Sequence, residues 1–226
     1  MKEYYKTELG TLFLGDCMDG MKQYPDKYFE LAIVDPPYFN GPNKLGYYGA
    51  VKSKTKVKRQ SYNVLSKWDI PKEDYFNELL RVSVNQIIWG FNYYTINNLG
   101  SGRIVWDKIN DASTFSDGEI AYCSLIDTVR FYRFMWNGML QGDMKNKETR
   151  IHPTQKPVKL YEWLLSNYAK QGDKILDTHV GSGSSLVACE KLGFEYIGFE
   201  IDEDYCKGAS KRIMAEANQV KFEMGV

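Results

Sequence analysis

Lys174-Ile175-Leu176-Asp177-Thr178-His179-Val180-Gly181-Ser182-Gly183-Ser184-Ser185-Leu186 runs from a short apolar stretch through an acid and a glycine turn into a helical pattern. Residues 174–176 predict a strand and residues 184–192 a helix. A strand that feeds a glycine turn at a helix N-terminus lets backbone approach a ligand closely. The next apolar run, residues 196–199, ends at Glu200. That acid lies about twenty residues beyond the glycines, the spacing at which a carboxylate meets a ribose diol in nucleotide-type sites. The third glycine of a dinucleotide fingerprint is missing, since Ser185 and Leu186 stand there, and this argues against a nucleotide-binding oxidoreductase. By itself the turn is equally an ordinary strand-to-helix connection. Asp177 before it and Glu200 after it favour an adenosine ligand. A loop carboxylate able to hold a cationic amino group suits the methionyl part of S-adenosylmethionine better than a pyrophosphate.

Outward from this unit the chain alternates short apolar runs with helical spacing. Strands are expected at 11–15, 31–34, 86–90, 104–106 and 128–136, and helices at 74–82, 160–168 and 203–218. Residues 128–136 alternate polar and apolar in the manner of an antiparallel strand, with Phe131, Tyr132, Phe134 and Trp136 read as core-facing. The whole is an α/β layer pattern with a largely parallel sheet. Its 226 residues fit a single domain, 1–226.

The second chemical unit is Asp35-Pro36-Pro37-Tyr38, where the run 31–34 ends. In open α/β sheets ligands bind beyond the C-terminal ends of the strands. A Pro-Pro pair stops ladder hydrogen bonding and stiffens an extended backbone, which alone is a common way to end a strand. The four residues together suit one chemistry. An exocyclic amino group of a base is a poor nucleophile because its lone pair is delocalised into the ring. The Asp35 carboxylate and Pro36 carbonyl can each accept an amino hydrogen, freeing that lone pair and stabilising the positive charge that develops on attack. Tyr38 is placed to stack on a base that has left the duplex. No strong base is needed, which fits a chain whose only histidines are His152 and His179. Phe91-Asn92-Tyr93-Tyr94, after a strand, is a further candidate for lining the base pocket.

These units, in this order, resemble the β class of exocyclic amino DNA methyltransferases. Asp35–Tyr38 comes first, then His152-Pro153-Thr154-Gln155-Lys156-Pro157, then 177–185, then Glu200. The resemblance spans 11–213 and implies a Rossmann-like methyltransferase fold, a mostly parallel twisted sheet with helices on both faces and a circularly permuted motif order. It implies S-adenosyl-L-methionine as cofactor, held by Asp16, Thr154, Lys156, Asp177, His179, Gly181, Ser182, Gly183, Ser184, Glu200 and Ile201. Asp16 would reach the adenine, and the segment around Thr154 and Lys156 the methionine end. His152 or Thr154 is also readable as a helix cap. The family's Asp-Pro-Phe is here Asp177-Thr178-His179, so the imidazole must make the aromatic contact or leave it unmade. Catalysis would fall to Asp35, Pro36, Pro37 and Tyr38. An aspartate at the first position accompanies adenine N6 methylation in this family. Cytosine N4, adenine in RNA, and a non-catalytic partner subunit are the alternatives.

Net charge is zero, from 29 basic and 29 acidic residues, so a polyanion surface must be local. The segment 40–67 holds seven basic residues and no acid, and Lys52, Lys54, Lys56, Lys58 and Arg59 are its expected DNA contacts. A long loop of this kind is often a binding element, although a solvated connection is the plainer account. Residues 107–147 are the second candidate recognition region. The expected partner is DNA, with a homodimer left open. Neither a membrane span nor a leader is visible, and a cytoplasmic setting is expected. The scattered Cys17, Cys123, Cys189 and Cys206 are read as small buried hydrophobes, and no metal site is expected.

Overall fold

A computed structural model of the chain describes residues 1–39, 68–97, 99–110, 116–137 and 140–224. The basic segment 40–67 lies outside the described residues, and so do its expected DNA contacts. The chain opens with β1 (Lys2–Lys6), β2 (Gly10–Leu14), α1 (Cys17–Met21), β3 (Phe29–Val34), α2 (Glu73–Val82) and β4 (Ser83–Trp89). A single 3-10 turn, Phe91–Tyr93, leads to β5 (Arg103–Asp107), β6 (Gly118–Cys123), β7 (Val129–Arg133), β8 (Trp136–Asn137) and β9 (Leu140–Gln141). Then come α3 (Val158–Tyr168), β10 (Lys174–Asp177), α4 (Ser184–Leu192), β11 (Glu195–Glu200) and α5 (Glu203–Met224).

Nine strands form one sheet in the order β1-β2-β11-β10-β3-β4-β6-β5-β7, and β8 and β9 pair separately. The run from β2 to β4 is parallel throughout, β1 and β6 run the other way, and β5 and β7 return to the common direction. Alternation along the strands divides the core between two faces. In β3, Leu31 and Ile33 pack with Leu160, Leu164 and Leu165 of α3, Leu186 of α4 and Ile213 of α5. Ala32 and Val34 pack on the other face with Met21 of α1 and with Tyr75, Phe76, Leu79 and Val82 of α2. Helices thus cover both faces, as expected for this fold. Among the described residues no helix is long and apolar enough to cross a membrane.

Two expectations for 128–136 are corrected. β7 lies parallel to β5, pairing Arg103 with Val129 and Asp107 with Arg133. Alternation reports that the two sides of a strand differ, and carries nothing about direction. Nor is the aromatic run uniformly core. Phe131 is 59% exposed on this edge strand, Tyr132 and Phe134 are partly buried, and Trp136 is buried.

The parallel direction positions the site. β2, β3, β10 and β11 all point to one edge, where their next or last residues are Gly15-Asp16, Asp35, Asp177 and Glu200. β6 runs the other way, so its beginning, Gly118-Glu119, sits on the edge where β5 ends.

Candidate active site

The turn after β10 uses two glycines in the left-handed region, Gly181 at φ +52° and Gly183 at φ +77°. A side chain on Gly183 would also meet Ala209 of α5 at 2.9 Å. Glu200 ties the turn to the neighbouring strand. Its Oε2 accepts the Gly181 N–H at 2.7 Å and its Oε1 the Asp202 N–H at 2.9 Å. Burial pushes the Glu200 carboxyl up to about 7 against these donors. Asp177 accepts the His179 N–H at 2.9 Å on one oxygen and the Ser185 hydroxyl on the other. Burial again dominates and raises it to about 6.

A cleft of about 620 Å³ opens at this edge, within the usual range for a small-molecule site. Its wall carries Asp16, Asp35, Pro36, Pro37, Tyr38, Thr154, Lys156, His179, Gly181, Ser182, Ser184, Glu200 and Ile201. Asp177 and Gly183 stand behind the wall, and Asp177 braces the turn through its two acceptor bonds. Asp16 also caps α1, accepting the Met18 N–H at 2.8 Å. The His179 ring meets Tyr75 edge-on at 5.4 Å, and its Nδ1 lies 2.9 Å from the Thr178 hydroxyl, which in turn lies 2.6 Å from the Tyr75 hydroxyl. Burial lowers His179 to about 4, and burial with the Lys156 charge lowers His152 to about 3, so both rings are neutral at pH 7. Neither His152 nor Thr154 caps α3. Its first N–H, from Val158, goes to Glu148 Oε1 at 2.8 Å.

On the other side of the cleft Asp35 follows β3 directly. Its Oδ2 is held by Lys156 Nζ, whereas its buried Oδ1 has no hydrogen-bond partner among the described residues. Lys156 Nζ also lies 2.8 Å from Glu119 Oε2, and Glu119 Oε1 accepts from Lys108 Nζ at 2.5 Å. Burial works against the Lys156 charge, but Asp35 and Glu119 overcome it and raise its pKa. For Asp35, burial outweighs Lys156 and the carboxyl is shifted upward, with Glu119 adding to the rise. Glu119 carries no signal in the sequence, because an acid at the start of an antiparallel strand meets Lys156 only once the strand order is known.

Tyr94 donates to the Pro36 carbonyl at 2.6 Å, and Tyr93 stacks on Tyr38 with centroids 4.5 Å apart and 6° between planes. The Phe91–Tyr94 stretch therefore does reach the Asp35–Tyr38 loop. Gly90 permits this packing, since a side chain there would meet the Tyr38 ring at 2.5 Å. Trp68 stacks on His152 at 5.7 Å, and His152 meets Tyr205 at 4.3 Å, forming an aromatic wall across the cleft.

An acid-tipped parallel sheet around a glycine turn is the architecture of a Rossmann-like transferase, and the comparisons agree. Residues 127–211 match the model of a DNA methylase family of the N6/N4 type. The chain is 25% identical to the type II methyltransferase M2.DpnII of Streptococcus pneumoniae, over 95% of this chain and 93% of that protein. It is 22% identical to M.HinfI of Haemophilus influenzae, over 94% and 70%. Among solved structures it superposes on the cytosine-N4-specific PvuII DNA methyltransferase with a TM-score of 0.61, at 15% identity over 97% of this chain and 95% of that one. The complex of M1.HpyAVI with S-adenosylmethionine gives 0.54, at 18% identity over 90% and 99%. The fold is that of the Rossmann-like methyltransferases. Over residues 127–211 the chain is similar to the N6/N4 DNA methylases.

Proposed function

We propose that this chain transfers a methyl group from S-adenosyl-L-methionine to the N6 of adenine in DNA, in a restriction–modification setting and with the β-class arrangement of motifs. The observation that carries the proposal is the buried Oδ1 of Asp35, which has no hydrogen-bond partner among the described residues and lines the cleft with Pro36. The residues present fit the cofactor. Gly181 lines the cleft, where a side chain would extend to the His152 ring at 3.5 Å, and Glu200 offers acceptor oxygens at the expected ribose position. When bound, S-adenosyl-L-methionine supplies an electrophilic methyl group.

The protein's part is binding and electrostatics. Glu200 takes the ribose hydroxyls, Asp16 the adenine, and Ile201 packs beside them. The wall residues Thr154, Ser182 and Ser184 orient the remainder, with His179 at the turn. Tyr38 stacks on the extruded base. Asp35 Oδ1 accepts one amino hydrogen. The Pro36 carbonyl keeps a second lone pair free beside the Tyr94 hydroxyl and accepts the other. Both acceptors are in place before positive charge develops on the nitrogen, and such preorganised groups are commonly worth about a hundredfold or more in rate each. Lys52, Lys54, Lys56, Lys58 and Arg59 are proposed to meet phosphates.

Cytosine N4 is the second reading, favoured by the PvuII superposition. Cytosine N4 and adenine N6 both present two hydrogens on a conjugated nitrogen, and the preference for adenine rests on the aspartate at position 35. The test is transfer of labelled methyl to DNA, digestion to nucleosides and mass spectrometry. N6-methyldeoxyadenosine is expected. N4-methyldeoxycytidine would replace the first reading with the second, and label found in RNA alone would overturn the substrate.

A further inference from the structure

Four charged side chains from four parts of the chain meet behind the Asp35–Tyr38 loop. Asp35 follows β3, Lys156 precedes α3, Glu119 is the second residue of β6 and Lys108 follows β5. Lys156 holds Asp35 Oδ2, and its ammonium, with the side chain 2% exposed, lies 2.8 Å from Glu119 Oε2. Glu119 in turn pairs with Lys108 at 2.5 Å. Any reaction that builds positive charge beside Asp35 is hindered by a bare ammonium at the same carboxylate. Such an ammonium would draw off the acceptor's charge and repel the reacting nitrogen. A carboxylate on the far side of Lys156 removes that conflict.

We infer that Glu119, backed by Lys108, is a positioning residue for methyl transfer: it shares the Lys156 ammonium, so that Lys156 fixes the orientation of Asp35 without disabling Oδ1 as an acceptor. This rests on the role proposed for Asp35 above. Burial opposes ionisation of Glu119, but Lys156 and Lys108 overcome it and hold its pKa down to about 2, so the counter-charge persists throughout the working range. The other groups facing Asp35 are Tyr94, Tyr161 of α3 and Asp177. Both tyrosines are pushed upward, chiefly by burial, and stay neutral. Asp177, at about 6, titrates on its own account, so the direction in which variants move the acid limb is the informative quantity.

The experiment measures kcat for methyl transfer to DNA against pH, with cofactor affinity by calorimetry, in wild type, Glu119→Gln and Lys108→Met. Glu119→Gln leaves Lys156 to Asp35 alone, so the acid limb moves to lower pH. An effect acting through Asp35 is smaller than the hundredfold or more that follows loss of a directly contacting group. The plateau kcat is therefore expected to fall about tenfold, with cofactor affinity and KM for DNA near wild type. Lys108→Met strengthens the pull of Glu119 on Lys156, and the limb moves to higher pH. A merely structural role does not produce shifts of opposite sign. Limbs that stay in place, or move the same way in both variants, overturn the inference, as does a loss confined to cofactor affinity. Should Glu119→Gln fail to fold, Lys108→Met decides: an upward move supports the inference, and no move or a downward one overturns it. A wild-type protein inactive on DNA overturns the proposed function as well, whereas an active one with unmoved limbs overturns this inference alone.

Discussion

Glu200 ends β11 with both carboxylate oxygens engaged by backbone N–H groups, yet burial lifts its pKa to about 7 from the usual 4.5. The free protein therefore holds this proton more tightly than the unfolded chain does. The group favours the fold fully below about 4.5, and that contribution is lost as pH rises through about 7. On the proposed ribose role, cofactor binding has the opposite sign, because ribose hydroxyls would donate to the ionised carboxylate. Affinity for S-adenosyl-L-methionine is expected to be about tenfold weaker at pH 6 than at pH 8, since a group with pKa near 7 must first be ionised at the lower pH. Glu200→Gln should abolish most of that dependence and bind about tenfold or more weakly at pH 8, as loss of a hydrogen bond to a charged acceptor costs roughly 1.5–3 kcal/mol. The cofactor's own amino group titrates equally in both proteins and cancels in the comparison. Calorimetry that finds parallel pH dependences in the two proteins would remove the ribose role from Glu200. The acid was legible in the sequence because it is the last residue of an apolar run at a known spacing. The difference between Asp177 and Glu200 was not. Both are acids at strand ends, and only the structure puts one on the cleft wall and the other behind it, satisfied by His179 and Ser185.

Among the elements, the β10–turn–α4 unit is the most sharply specified. Gly183 adopts φ +77° against Ala209, and Arg212 of α5 reaches across to the Ser182 carbonyl and to Glu148, each at 2.7 Å. Gly183→Ala should cost about 1–2 kcal/mol for the left-handed backbone alone, with the 2.9 Å approach to Ala209 adding to it. Urea denaturation would register the loss, and cofactor affinity should fall with it. An unchanged midpoint would mean that the turn has room its geometry denies. This unit was readable because strand, glycines and helix are contiguous. Non-contiguous relations were not. β6 is not legible in the sequence because its Gly118–Cys123 run is buried only over its last three residues, so its first half carries no apolar signal. The direction of β7 is not legible either, because pairing with β5 depends on where the chain returns after β6. Glu119 and Lys108 are legible only after those two strands are ordered. The parallel half of the sheet, by contrast, shows in the sequence as apolar runs, and those of β2, β3, β10 and β11 close on an acid.

At the scale of the whole molecule the charge distribution matters more than its sum. Seven of the 29 basic residues fall within 40–67, which holds no acid, leaving 22 against all 29 acids elsewhere. The rest of the chain is thus net acidic, and a polyanion approaching it meets repulsion everywhere except where cations cluster. If DNA is the substrate, most of its electrostatic affinity must then come from this segment. Each phosphate neutralised by a lysine contributes about one unit to the slope of log affinity against log salt. Replacing Lys54, Lys56 and Lys58 together by Ala should therefore flatten that slope by up to about three. The weakening should be similar for all DNA sequences, because phosphates carry no sequence information. Cofactor affinity should stay unchanged, since the residues proposed to hold that ligand, Asp16, Glu200 and the Gly181–Gly183 turn, lie outside this segment. Fluorescence titrations at several salt concentrations, on a specific and a random duplex, measure slope and sequence dependence together. A slope that does not change would leave 40–67 as a solvated connection and shift the search for DNA contacts to 107–147. There, Lys108 is already committed to Glu119 and Arg133 to Asp107, so Arg130 and Lys145 become the first cations to test.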